Sequence, residues 1–159
     1  MRLTPPILAA MLSLTACQST PRVYDVPTSQ SYDRQPAAIW PVMTGFLDAN
    51  GLAVVETSQA TGRIVATLVD YQPRGWAACR PARVFDRHDD KNRPDRGRPV
   101  DRRLELEIQV RASDHGSEVR PRATFSERQI NPFKNLPFRV RCPSTGDLER
   151  ALLAAIDGG

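Results

Sequence analysis

Leu104-Glu105-Leu106-Glu107-Ile108-Gln109-Val110 decides the fold class. Successive side chains of an extended chain point to opposite faces, so Leu104, Leu106, Ile108 and Val110 share one side. Glu105, Glu107 and Gln109 share the other and point to water. This is a half-buried strand. Downstream, Asp114-His115-Gly116-Ser117 supplies a hairpin turn. Glu118 to Ser126 then returns with Val119, Ala123 and Phe125, and Pro121 predicts an edge strand or a bulge there. Upstream, Arg63 to Asp70 alternates with Ile64, Ala66 and Leu68 against Val65, Thr67 and Val69, which predicts partial cover on both faces. Leu52 to Glu56 reads as one more strand, joined to it through Thr61-Gly62.

Two helices flank these strands. Ile39, Val42, Met43, Phe46 and Leu47 recur at three- and four-residue intervals, one buried helix face. Asp33 is the expected cap, Pro36 suits the first turn, and Asn50-Gly51 supplies the left-handed stop. Pro41 calls for a late start or a kink, and Trp40 reads as a core or lid residue. The second helix starts at Ser144 or Thr145, with Asp147 in its first turn. Leu148, Ala151, Leu152, Ala155 and Ile156 form its stripe. Helix, strands and helix in this order predict an α+β fold: an antiparallel sheet with an N-terminal and a C-terminal helix packed on one face.

The chain has 159 residues, 40% hydrophobic and 25% charged, with 14 prolines, which suits one globular domain rich in turns. Only Ile7 to Leu14 forms an apolar stretch, the length of a signal-peptide core and too short to span a bilayer. It ends in Leu14-Thr15-Ala16-Cys17, which resembles the bacterial lipobox. That resemblance implies a signal peptide over residues 1–16 and a Cys17 thiol that takes diacylglyceryl, with acyl chains anchoring the protein. Gln18 in the next position implies the outer membrane, periplasmic face. Residues 17–35, rich in Ser, Thr, Pro and Gln, read as a disordered tether. Residues 36–159 then form a single domain.

Cys79 and Cys142 remain after lipidation, an even pair that reads as a structural disulfide in an oxidising compartment. His88 and His115 are the only histidines. His115 falls in the hairpin turn. His88 falls in a charged loop at about 86–103, with seven Lys/Arg against five Asp, and lacks the converging partners a metal site needs. Glu105 and Glu107 are a carboxylate pair, but on an outward face a solvated strand accounts for them. No nucleophile elbow, zinc motif, phosphate loop or dinucleotide fingerprint is present, so neither an enzyme nor a cofactor is expected. Arg93, Arg96, Arg98, Arg102 and Arg103 concentrate positive charge, with Arg120, Arg122, Arg128, Arg139 and Arg141 later in the chain. The export signal argues against nucleic acid and favours acidic envelope proteins or phosphate-bearing lipids. Interleaved acids, however, make a plain solubilising surface the preferred account of these arginines.

The run Pro36-Ala37-Ala38-Ile39-Trp40-Pro41-Val42, continuing through Gly51-Leu52-Ala53-Val54-Val55-Glu56 and Thr61-Gly62-Arg63-Ile64-Val65-Ala66, resembles a helix-grip module. It is similar to repeats in the BamC-type lipoproteins of the outer-membrane β-barrel assembly machinery. The likeness covers one module, not two, and no partner-binding motif of that family carries over. It implies a non-catalytic accessory of outer-membrane assembly that binds protein partners. A carrier of an apolar ligand such as a lipid, held between helix and sheet, is the alternative. A hydrolase reading has no residue set to support it.

Overall fold

The computed structural model describes residues 23–71, 75–85 and 95–159. The expected signal peptide, Cys17, the start of the expected tether, His88, Arg93 and half of the expected charged loop lie outside the described residues.

The described chain is an α+β fold dominated by antiparallel sheet. Strand β1 (Gln30–Tyr32) leads into helix α1 (Pro36–Ala49), then β2 (Ala53–Ser58) and β3 (Arg63–Val69). Short strands β4 (Arg83–Val84) and β5 (Asp95–Arg96) precede the long pair β6 (Arg98–Ser113) and β7 (Gly116–Ile130). Strand β8 (Pro137–Cys142) and helix α2 (Asp147–Gly158) complete it. The sheet order is β1-β7-β6-β3-β2, with β8 also on β7, while β4 and β5 pair apart. The turn is Asp114-His115, since Ser113 already faces Gly116.

Pro121 sits in a centrally placed strand, not at an outer edge. It faces Ile108 on one side, and on the other it lies between the residues that β1 and β8 pair with, Ser117–Val119 and Phe125–Ile130. Proline is tolerated because no neighbouring strand there requires its missing N–H. The bulge belongs to β6, between Pro99 and Asp101.

Four differences from the sequence reading have physical causes. Residues 30–35 belong to the fold and not the tether: Tyr32 is buried and donates to Leu153 O at 2.9 Å, and Ser117 Oγ donates to Arg34 O at 2.7 Å. The expected charged loop does not extend over residues 95–103, because the exposed arginines there lie on strands, where alternating polar residues are stable on a wet face. Asp33 makes no cap; Gln35 holds the N-cap without a side-chain bond, and Pro36 at the first position leaves one fewer N–H to satisfy. Helix α2 begins at Asp147 behind a left-handed Gly146, with Ser144 Oγ accepting from Gly146 N.

Helix α1 runs through Pro41, and Thr44 Oγ1 donates to Pro41 O at 3.0 Å. Its end is a Schellman turn: Gly51 has φ 72°, its N–H bonds Asp48 O, and the Leu52 N–H bonds Leu47 O. Ile39, Met43 and Leu47 of α1, Leu148, Leu152 and Ile156 of α2, and Ile64, Leu104, Leu106 and Ile108 of the sheet share one core. Trp40 is buried with them. Ala151 is exposed while Leu153 is buried, since a leucine has more apolar area to remove from water than an alanine.

Cys79 and Cys142 form a disulfide, S–S 2.06 Å, joining the end of β8 to the segment after β3. Close by, Gln129 fixes the β4–β5 hairpin. Its Oε1 accepts from Ala82 N at 2.9 Å and its Nε2 donates to Arg80 O and Glu127 Oε1. A side chain on Gly97 would meet that Oε1 at 2.4 Å, which explains the glycine.

Candidate functional site

The register of β6, β7 and β8 assembles arginines that the sequence scatters. From Glu118 onward the even-numbered residues of β7 are exposed or half-buried, so they mark the face of the sheet opposite the core. On that face Arg98 lies opposite Ile130, Asp101 opposite Arg128, and Arg103 opposite Ser126. From the other side Arg139 lies opposite Arg128, and Arg141 opposite Ser126. Arg98, Arg103, Arg128, Arg139 and Arg141 are thus neighbours on three adjacent strands, all exposed.

Among the described residues only one acid lies within this group. Asp101 Oδ2 takes Arg128 Nε at 2.5 Å, and Glu105 comes in the next row. Arg139 Nη1 donates to Ser126 Oγ at 3.0 Å. Arg128 and Arg139 are cross-strand partners of like charge, a pairing that costs stability. Elsewhere on this face charges are matched. Arg63 bridges Glu56 and Glu107, and Arg120 pairs with Glu118, holding that carboxyl below the usual carboxylate range. The imbalance is confined to the β6–β7–β8 end.

The arginines singled out from sequence therefore divide. Arg98 and Arg103 join the group. Arg96 lies on the β4–β5 hairpin, which Gln129 holds against the opposite face, and Arg93 is outside the described residues. Arg102 is corrected from a partner-binding residue to an internal one. It points to the core side, where its Nε donates to Glu127 Oε2 at 2.7 Å, and that carboxylate is 1% exposed. Consecutive strand residues face opposite ways, so Arg102 and Arg103 cannot share a surface. Arg128, Arg139 and Arg141 were visible in the sequence; what grouped them was the pairing of β8 with β7.

Two further features stand out. Strand β2 closes the sheet on the far side from β8, with Ala53 to Thr57 all exposed; Val54 is 44% and Val55 61% exposed. Among the described residues no strand pairs with its outer edge. A cleft of about 400 Å³ opens at the β7 gap, lined by Val26, Pro27, Pro121, Ala123, Ser144 and Glu149. The Glu149 carboxylate is buried there and accepts from Ser144 Oγ at 3.0 Å. His115 is an exposed turn residue, and Glu107 is held by Arg63 Nε at 2.8 Å.

No protein-family model and no curated protein matches this chain.

Proposed function

We propose that the chain is a non-catalytic, lipid-anchored protein of the outer membrane that binds protein partners in the periplasm, as an accessory of outer-membrane assembly. The anchor is Cys17, behind the lipobox-like Leu14-Thr15-Ala16. The fold is helix-grip-like, both helices packed on the core face of the sheet; the single core shared by α1, α2 and β6 supports this.

The observation that carries the binding reading is β2. An edge strand exposed on both faces, with valines at 44% and 61% exposure, offers a row of backbone donors and acceptors beside apolar side chains. Such an edge is a template for a partner's strand, which adds by main-chain hydrogen bonds. The test is cross-linking and pull-down of the full chain from native membranes, with Cys17→Ala as the unanchored control. Val54→Lys with Val55→Lys leaves the fold intact and removes the captured envelope proteins. Unchanged capture by that variant overturns the reading.

The cleft at the β7 gap favours a second reading, a carrier of a small apolar ligand. It predicts a stoichiometric molecule in organic extracts of the purified protein, lost when Ala123→Trp fills the cleft.

A further inference from the structure

We propose that the arginine end of the open sheet face rests on the phosphate-bearing surface of a lipid bilayer. It is a second membrane contact that orients the domain. The inference relies on the anchored reading only for bringing the protein to a bilayer. The face itself is argued from its charges.

Arg98, Arg103, Arg128, Arg139 and Arg141 stand on one side of three hydrogen-bonded strands, and Asp101 neutralises only Arg128. Sheet neighbours are about 5 Å apart, so the guanidinium groups form a closely spaced set. Folding alone gives no reason to set Arg128 opposite Arg139, since like charges there are unfavourable. An external anion relieves the repulsion, and guanidinium binds phosphate through two parallel hydrogen bonds.

The occupant is a surface, not a pocket ligand, because the groups lie on the outside of a sheet. Val69, 60% exposed, lies opposite Arg103 at the margin and adds an apolar contact. The chain from Cys17 to Gln30, fully extended, reaches at most about 45 Å, so a domain anchored at Cys17 stays close to the headgroups. In the sheet order β8 and β2 lie on opposite sides. Seating the arginine end on lipid therefore leaves the β2 edge free for a protein.

The test uses the full chain with Cys17→Ala, so no acyl anchor contributes, and vesicles of phosphatidylcholine with 30% phosphatidylglycerol. Residues 1–16 are common to every variant and cancel in the comparison. Basic residues near an anionic surface each strengthen partitioning about fivefold. The variant Arg103→Gln, Arg139→Gln, Arg141→Gln is expected to bind about 100-fold more weakly. The control Arg80→Gln, Arg83→Gln, Arg96→Gln removes the same charge from the hairpin across the sheet and is expected to stay within about threefold of the parent. Raising salt from about 0.05 to 0.5 M is expected to abolish the difference, because it shortens the screening length to a few ångströms.

Equal weakening in both triple variants would show a response to net charge alone and overturn the proposal. Equal vesicle binding by the parent and the face variant would also overturn it. If that result came with loss of a cross-linked protein, it would assign the arginines to an acidic protein partner instead. A matching melting temperature for the face variant establishes that it folds. Failure of lipidation at Cys17 leaves this assay unaffected, so the two readings fail separately.

Discussion

Replacing Arg102 with methionine tests whether this arginine holds the interior together. Glu127 is 1% exposed, and among the described residues its carboxylate has two donors, Arg102 Nε at 2.7 Å and Gln129 Nε2 at 2.7 Å. Gln129 in turn holds the backbone at Arg80 and Ala82. Arg102→Met removes the cation that pairs with Glu127 and keeps most of the apolar stem. A fully buried pair broken on one side costs about 3–5 kcal/mol, because the remaining charge is stranded. The Arg102 side chain is 28% exposed, so water partly reaches the site, and a cost of about 2–3 kcal/mol is expected. Glu127→Leu in the same background removes the stranded charge, while Gln129 keeps its backbone partners. The double variant is therefore expected to be more stable than Arg102→Met alone by about 1 kcal/mol or more. Urea unfolding followed by circular dichroism reads these differences as shifts in midpoint at constant slope. A cost below about 0.5 kcal/mol for Arg102→Met, the range of ordinary surface substitutions, would refute the reasoning. So would a double variant less stable than the single one. Arg102 would then be a surface cation and available to a partner after all.

Three further outcomes follow from the geometry. Cys79→Ser is expected to lower stability by about 4 kcal/mol on the chain-entropy account of a 63-residue separation, and to match the melting temperature of reduced parent protein. Gly62→Ala is expected to cost about 3 kcal/mol, because φ is 65° and the new Cβ would lie 2.0 Å from Val110 O. Gly51→Ala, with φ 72° but open space, should cost only about 1 kcal/mol in the same denaturant assay. Burial, then the Asp157 charge, raises the Tyr32 phenol above its ordinary value, and burial raises Tyr71. The unfolded chain releases these protons near pH 10 while the folded chain keeps them, so stability is full below pH 10 and falls as pH rises beyond it. Tyr32→Phe should flatten that alkaline decline in urea titrations between pH 8 and 11.

The parts of this fold that were legible in the sequence are those with a local cause. Leu104 to Val110 alternates because one face is buried, and α1 ends at Asn50-Gly51 because a left-handed turn needs them. What escaped depended on distant pairing. Gln30–Tyr32 is too short and polar to read as a strand, and only β7 makes it one. The charged stretch before Leu104 looked like a loop because composition is blind to a partner such as Glu127 or Arg128. Glu149 and Gln129 are polar and buried for reasons that lie in other elements. The arginine face was half legible: the residue types were plain, but their common side emerged only from the β7–β8 register.

Helix α2 follows every strand in the chain, yet it supplies Leu148, Leu152, Leu153 and Ile156 to the same core as Leu104 and Ile108. A growing chain therefore exposes the apolar side of its sheet until α2 has emerged. The β1–β7 and β3–β6 ladders, whose partners are distant in sequence and therefore close slowly, must wait unprotected. Such a chain closes its core only after α2 has been synthesised, and stays open to holdase chaperones until then.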